Sequence, residues 1–297
     1  MPFLGEFSAL ATAALWATSS FLIASVAAKV GSVQANIGRM FVSLVFFLIA
    51  IYVFHLPLDL SAKQFTFLVL SALVGIVFGD TFLFKAFQQV GARVSMLIMS
   101  IAPAIAAILA YIFLGETLSW FGIFGILITL LGIAIVVLEK KSTGCDRFGR
   151  VTTSGLICAF FGALGQGGGV VLVKVAFLDG PINGIVAAGI RIAAALLLFV
   201  PLMVPLKQFH NPLPIVRQGK KIILFLVISS FFGTFLGVTL SQLAVAYAKV
   251  GIASTLIATS PVLMLPIARI VFKEDLSWKA SGGAFLAVGG VAILFLV

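Results

Sequence analysis

Apolar segments long enough to cross a lipid bilayer recur along the whole chain. Each is close to the ~20 residues that a helix needs to span the hydrocarbon core. We place them at residues 7–28, 36–55, 64–87, 94–114, 118–138, 153–177, 184–204, 222–246, 252–272 and 280–297. Lipid admits only helices and closed barrels, and these runs are continuous rather than alternating. The sequence therefore predicts an all-α integral membrane protein with ten transmembrane helices.

The composition excludes a water-soluble protein. Hydrophobic residues make up 62% of the 297 residues and charged residues only 9%, whereas a soluble domain carries roughly 25% charged residues. The first apolar run has no Lys or Arg before it and exceeds the usual ~7–15 residues of a signal-peptide core. We expect it to be retained as the first span.

The distribution of positive charge predicts an orientation. All but four of the 19 Lys and Arg residues lie near the loops that follow odd-numbered spans, and the four exceptions are Lys63, Lys174, Arg191 and Lys249. Short cytoplasmic loops are enriched in Lys and Arg. The basic loops are thus expected in the cytoplasm, beneath the cell (inner or plasma) membrane, with both termini outside. No basic patch stands clear of the membrane to bind nucleic acid.

The second half of the chain repeats the first. Residues 114–120 read LGETLSW and residues 272–278 read FKEDLSW, and each motif follows a proline at the same distance, Pro103 or Pro261. Arg39 opens the second span and Arg191 opens the seventh. We infer two five-helix copies, 1–140 and 153–297, joined by a basic loop at 141–152. An odd number of spans per copy inverts the second copy, as in many secondary transporters.

This doubled pattern resembles the drug/metabolite transporter superfamily, in particular its EamA-like family. The motifs that carry the resemblance are Leu15-Trp16, Arg39-Met40-Phe41, Phe84-Lys85-Ala86-Phe87 and the two proline-to-glutamate spans ending at Glu116 and Glu274. The resemblance implies a central cavity between the repeats, alternating access for small solutes, and export as the expected direction. Members often keep both termini in the cytoplasm, which is opposite to the orientation that the charges predict.

Asp80 is the sharpest candidate for a functional residue. A carboxylate within a span is costly and usually faces a cavity or a partner. It could bind a substrate amine or carry a proton; the alternative is a structural pair with Lys85, Arg93 or a residue of another helix. Five positions on a helix separate Asp80 from Lys85 by about 140°, so the two do not share a face.

Other polar and aromatic residues within the spans complete the expected solute site. The full set is Trp16, Asp80, Lys85, Gln166, Arg191 and Gln242. Each has a structural alternative. Lys85 and Arg39 lie near span ends, which favours snorkelling of the charge to the interface. Glutamine amides such as those of Gln88 and Gln89 also bridge helices, and aromatic residues such as Tyr247 form interfacial belts.

The repeated prolines and glutamates have structural interpretations. Pro103, Pro261 and Pro266 free backbone carbonyls within their predicted helices, and we favour a hinge or packing role for the first two. Glu116 and Glu274 lie on opposite membrane faces in inverted repeats, so they cannot form one active site. We expect both at helix N-termini, where the helix dipole stabilises an acid.

The glycine-rich stretch FFGALGQGGGVVLVK at 160–174 does not match a phosphate-binding loop. Lys174 follows Val173 and precedes Val175, whereas a Walker loop needs Gly-Lys-Ser/Thr. Gly165 and Gly169 lie four residues apart, a small-xxx-small surface that permits close helix approach. We expect these glycines to pack the sixth span against a neighbour and to leave space beside Gln166.

No catalytic or metal-binding pattern is visible. The two cysteines, Cys145 and Cys158, and the two histidines, His55 and His210, have no metal-ligand spacing, so neither a cofactor nor a metal is expected. The favoured function is secondary transport of small organic metabolites such as amino acids, with possible proton coupling; a lipid flippase or a channel is the alternative. The expected partners are a small-molecule substrate and membrane lipids. Ten spans in one monomer suffice to enclose a cavity, and the sequence is also compatible with a dimer.

Overall fold

The computed structural model describes residues 3–99, 101–139, 152–203, 219–260, 262–263 and 278–295. Within these ranges the secondary structure is helical and contains no strand. The helices are α1 (Leu4–Val30), α2 (Ser32–Val53), α3 (Ala62–Ser71), α4 (Asp80–Met99), α5 (Ala102–Leu114), α6 (Trp120–Glu139), α7 (Thr153–Leu178), α8 (Gly184–Met203), α9 (Lys220–Ser229), α10 (Gly237–Tyr247), α11 (Val250–Ile257) and α12 (Trp278–Phe295). Two π-helical segments, Ala72–Gly79 and Ser230–Leu236, join α3 to α4 and α9 to α10.

Several of these helices have the length and composition of membrane spans. Four stretches of the described chain qualify outright: Val33–Val53, Ala62–Leu83, Thr153–Leu178 and Lys220–Tyr247. Shorter apolar helices accompany them at Ala102–Leu114, Trp120–Ile135, Gly184–Phe199 and Ser281–Ile293. Large apolar side chains also face outward, as on α6, where Phe121 and Phe124 are exposed. The chain is a multi-pass helical membrane protein.

The boundary between the predicted third and fourth spans is wrong. The structure continues as one helical stretch from Ala62 to Met99, through the link expected at 88–93. That link contains no proline, and its one glycine, Gly91, is tolerated within a helix. The next helix instead starts around Pro103, which lies in the first turn of α5, where its fixed φ and missing N–H fit. Pro103 thus starts a helix rather than bending one, while Pro261 and Pro266 lie outside the described residues.

Helices of the first half pack on helices of the second half in a reciprocal pattern. α1 lies against α9, the second π-helical segment and α10, while α7 lies against α3, the first π-helical segment and α4. The second, fourth and fifth helices of each half meet their own counterparts, as α2 with α8, α5 with α11, and α6 with α12. This exchange is what two copies related by a twofold axis would produce.

The glycine-rich stretch lies where α7 meets the first π-helical segment. A Cβ added to Gly165 would stand 2.7 Å from the Cα of Gly79, and one added to Gly169 would stand 2.7 Å from the Cα of Gly75. Real Cβ atoms do not approach backbone so closely, so both positions require glycine. The predicted small-residue face on this helix is confirmed, and its partner is a matching pair of glycines.

A polar clamp fixes the start of α3 to the end of α7. Ser61 caps α3 in a capping box with Gln64, and its hydroxyl donates to the Asp179 carboxylate over 2.5 Å. The Lys63 ammonium lies 3.0 Å from the same carboxylate. These contacts, the Ser61 hydrogen bond foremost, lower the pKa of Asp179 from its usual value. The clamp therefore persists at neutral pH and is lost only as the pH falls through that lowered pKa.

Two alanine substitutions on α7 test the glycine contact. Gly165→Ala places a methyl group against the backbone of Gly79, and overpacking of this kind costs about 1–3 kcal/mol. We expect a lower unfolding temperature for the purified protein in detergent, measured by intrinsic fluorescence. Gly168→Ala is the matched control, because its Cβ would meet only side-chain methyl groups at ordinary distances, Val74 at 3.4 Å and Leu109 at 4.0 Å. Equal unfolding temperatures for both variants would contradict the close approach.

A candidate solute site between the two halves

A cavity of about 460 Å³ lies between the two halves of the chain. Its walls come from α1, α2, α4, α5, α6 and the first π-helical segment on one side, and from α7, α8, α10, α11 and the second π-helical segment on the other. This volume falls in the range of small-molecule sites, about 300–1,000 Å³. The two halves of a single chain thus enclose a space that is large enough for a metabolite.

Much of the cavity wall is apolar. It includes Met40, Ile76, Met99 and Val173, from four different elements. The indole of Trp16 also lines the space, and its Nε1 donates to the carbonyl of Gly233 over 2.8 Å. A Cβ on Gly237 would overlap this indole at 2.6 Å, so the bare backbone at the first residue of α10 leaves room for the tryptophan ring. The ring is held in place rather than left to rotate.

Asp80 stands on the cavity wall at the first residue of α4, directly after a π-helical segment. Its Oδ1 accepts a hydrogen bond of 3.0 Å from Nε2 of Gln166 on α7. The two side chains meet because Gly79 and Gly165, one position before each, bring their helices into contact. π-helical turns within α-helices are frequent at functional sites. The arrangement places a half-buried carboxylate at the seam of the two halves.

Two arginines face this carboxylate from the packed pair α2 and α8. Arg191 is only 9% exposed, and Arg39 is half-buried and donates through Nη2 to Oδ1 of Asn36 over 2.7 Å. Both guanidinium groups attract Asp80 electrostatically. The Nε atoms of both arginines are buried and have no hydrogen-bond partner among the described residues. The expectation that Arg39 snorkels is therefore wrong: its charge points into the protein, toward an acid.

Further unpartnered polar atoms lie on the second half's side of the cavity. They are the amide oxygen Oε1 of Gln242 and the hydroxyl oxygens of Thr234 and Ser254, each buried without a partner in the described part of the chain. Buried polar groups are nearly always hydrogen-bonded in folded proteins. Their concentration around one space indicates that a solute or water completes their bonding.

The structure brings together most of the predicted solute-site residues. Those that line the cavity are Trp16, Asp80, Gln166, Arg191 and Gln242. Lys85 does not; it is exposed on α4, consistent with the angular separation from Asp80. Tyr247 is 66% exposed at the end of α10, as expected of an interfacial aromatic residue. The side chains of Gln88 and Arg93 lie outside the described set.

The repeat explains cavity residues that the sequence did not single out. Ser71, Gly75 and Gly79 recur at the same spacing as Ser229, Gly233 and Gly237, and each set lies within a π-helical segment and the residues that flank it. On this register Ile76 corresponds to Thr234 and Asp80 corresponds to Val238, and all four line the cavity. Alignment of the two halves would therefore have indicated Thr234 as a cavity residue. The same alignment shows that the acid is present in only one half.

Outside the cavity, Glu116 and Lys174 hold the break between α10 and α11. The Lys174 ammonium donates to the carbonyls of Val245 and Ala248, each at 2.9 Å, and lies 3.8 Å from the Glu116 carboxylate. Glu116 Oε2 accepts from the backbone N–H of Val250 over 2.8 Å, at the first residue of α11. Glu116 thus sits at a helix N-terminus as expected, although this helix belongs to the other half. Glu274 lies outside the described residues.

Comparisons with known proteins agree with this architecture. A crystal structure of a protein superposes on 98% of this chain and 97% of its own length with a TM-score of 0.77, at 16% sequence identity, which shows a shared fold. No curated protein sequence matches the chain. The sequence profile of the EamA-like transporter family matches twice, at residues 3–138 and 153–296, and this family consists of transporters rather than enzymes. The chain belongs to the EamA-like transporter family.

Proposed function

We propose that the protein is a secondary transporter of small organic metabolites, such as amino acids or related solutes, that works by alternating access in the direction of export. The observation that carries the proposal is the cavity shared by both halves, with its unpartnered polar atoms. In this proposal ten helices cross the membrane as two inverted repeats, 1–140 and 153–297, and a monomer suffices. The basic loops face the cytoplasm beneath the cell membrane.

The contacts between halves support alternating access. A carrier of this kind exposes its site to one side of the membrane at a time, by rocking one repeat against the other. Glu116 belongs to the first half, whereas Lys174 and the α10–α11 break belong to the second. This ion pair must separate if the two halves move apart at that end of the molecule. We therefore propose that the Glu116–Lys174 ion pair closes the cavity at the end of the molecule that contains the α10–α11 break.

Asp80 supports coupling of transport to protons. It is an ionisable acid on the cavity wall, and Gln166, Arg39 and Arg191 surround it. Intramembrane carboxylates that face cavities commonly serve as proton carriers. Protonation would remove the attraction that Asp80 exerts on both arginines, and so would couple the proton to the packing of α2 against α8.

Flux into proteoliposomes tests the proposed function. We expect saturable uptake that solute on the opposite side stimulates, within a panel of amino acids, organic acids, sugars, nucleotides and cationic drugs. Linear flux without such stimulation would indicate a channel, and scrambling of labelled lipid would indicate a flippase. Absence of flux for every compound, with the protein correctly inserted, would contradict the proposal.

The Asp80→Asn variant tests proton coupling. The amide keeps the size of the side chain and still accepts a hydrogen bond from Gln166, but it cannot be deprotonated. We expect the stimulation of solute flux by an imposed pH gradient to disappear, while solute exchange without a gradient continues. Asp59→Asn, at an exposed position between α2 and α3, is the matched control. A pH-gradient effect of wild-type size in Asp80→Asn would remove the assignment.

The Glu116→Gln variant tests the closure. The substitution leaves Lys174 without its ionic partner, and a destabilisation of ~1.4 kcal/mol shifts a two-state equilibrium about tenfold. We expect a cysteine at Ser254 on the cavity wall, in a protein without Cys145 and Cys158, to react roughly tenfold faster with a membrane-impermeant thiol reagent added on the side of the α10–α11 break. Asp59→Asn serves again as the control. An unchanged labelling rate would show that this ion pair does not close the cavity.

A further inference from the structure

We propose that the cavity selects organic monoanions with an apolar body, and that Arg39 and Arg191 together bind the anionic group. The inference rests on the proposed function, since the cavity is taken as the site of the transported solute. It adds the charge and the shape of that solute, and among small organic metabolites it favours monoanions over zwitterionic amino acids. It also assigns the binding of the anionic group to one arginine from each half of the chain.

The charges on the cavity wall do not balance. Among the described residues that line it, Arg39 and Arg191 are cations and Asp80 is the one anion. With all three ionised, the described part of the cavity wall carries one positive charge in excess. A buried charge without a partner is costly, because water is no longer present to solvate it. A solute with a single negative charge restores neutrality.

The arginines also have bonding capacity left over. A guanidinium carries five N–H donors in a fixed fork that matches a carboxylate, sulfonate or phosphate ester. Among the hydrogen bonds of the described residues, Arg39 donates one, to Asn36. The Nε of Arg39 and the Nε of Arg191 are both buried without a partner in that part of the structure. Because these donors come from packed helices of opposite halves, one anionic group between them would contact both repeats.

The surroundings of Asp80 argue against a cationic solute. Its Oδ1 already accepts from Gln166, and both arginines attract the carboxylate. A substrate ammonium would have to compete with two guanidinium groups for this one acid. It would also raise the excess positive charge of the cavity from one to two. The same argument disfavours a zwitterion, which leaves the excess charge unchanged.

The rest of the cavity is suited to an apolar body. Trp16 offers an indole held by its hydrogen bond to Gly233, and Met40, Met99 and Ile192 supply flexible or branched apolar surface nearby. Methionine side chains adapt to ligands of varied shape. A ring or a short alkyl chain fits such a wall, with its charged end toward the arginines.

Four probes of matched shape separate the charge classes. They are phenylacetate (anion), phenylacetamide (neutral), phenethylamine (cation) and phenylalanine (zwitterion). Calorimetric titration of the full-length protein in detergent is expected to show binding of phenylacetate at least about tenfold tighter than any of the other three. Tighter binding of phenethylamine or of phenylalanine would overturn the proposal, as would equal binding of all four.

Substitutions locate the anionic group. We expect Arg191→Gln and Arg39→Gln each to weaken phenylacetate binding about tenfold or more. Arg191→Lys, which keeps the charge without the fork, should weaken it less. Asp80→Asn should tighten phenylacetate binding severalfold, because it leaves two cations without an acid. Lys221→Gln, an exposed cation at the start of α9, is the control and should have no effect. Weaker binding in Asp80→Asn, or unaltered binding in both arginine-to-glutamine variants, would refute the assignment.

Flux measurements with the same probes separate this inference from the proposed function. Arginine-dependent binding of phenylacetate without flux of any probe would support the anion site and count against transport. Saturable flux of phenethylamine, of phenylalanine or of phenylacetamide in preference to phenylacetate would support transport and overturn the anion site. The variants are first checked for a single peak in size-exclusion chromatography. Arg191→Lys keeps the test decisive if a glutamine variant does not fold.

Discussion

The contact between bare helix backbones at the seam of the two halves governs the geometry of the cavity. Gly165 and Gly169 on α7 meet Gly79 and Gly75 at distances that exclude any side chain. Because these backbones touch, the residues that follow Gly79 and Gly165, Asp80 and Gln166, come within hydrogen-bonding distance. A wider separation would leave the acid without its amide partner. The glycines thus determine the separation of the helices, and this separation determines whether Asp80 and Gln166 can form their hydrogen bond.

The reciprocal contact, between α1 and the second π-helical segment, is built differently. Trp16 occupies the interface there and hydrogen-bonds to Gly233 through its indole nitrogen. Gly233 in this segment and Gly237 at the start of α10 are still glycines, yet Gly237 lies against the Trp16 ring and Gly233 lies against the Ser19 side chain rather than against another glycine backbone. The two halves therefore share the same helix arrangement and glycine spacing but differ in the side chains at the contact. At the first contact the cavity wall contains the acid Asp80 and the amide Gln166. At the second contact the corresponding side chains are the aliphatic Val238 and the aromatic Trp16.

The features that could be predicted from the sequence are those encoded in local patterns. Long apolar runs indicate membrane helices, repeated motifs indicate two copies, and glycines at four-residue spacing indicate a packing face. The orientation of a side chain around its helix depends instead on which neighbours the helix has. Arg39 and Lys85 both lie near the ends of predicted spans, and the sequence offers the same interpretation for both. Only the packing of α2 on α8 turns Arg39 inward, while α4 leaves Lys85 exposed.

The remaining differences also have physical causes. A π-helical segment is defined by its hydrogen-bond register, and no residue type marks that register in a single sequence. α4 continues through 88–93 because this stretch contains no strong helix breaker, although its polar composition favours a link between spans. Glu116 contacts Lys174 and α11 across the boundary between the halves. Such a contact is formed only when the two copies are placed side by side.

Among the described residues, the cavity wall has more arginines than acids, and this difference has an electrical consequence. While Asp80 is ionised, the described wall of an empty cavity carries one positive charge, whereas the same wall with a bound monoanion is neutral. A membrane potential exerts about 2.3 kcal/mol per elementary charge for each 100 mV across the full field. It would then act on the return of the unloaded protein and leave the loaded step nearly untouched. The voltage dependence of such a carrier would reside in the steps without bound solute, and a proton on Asp80 in those steps would increase it.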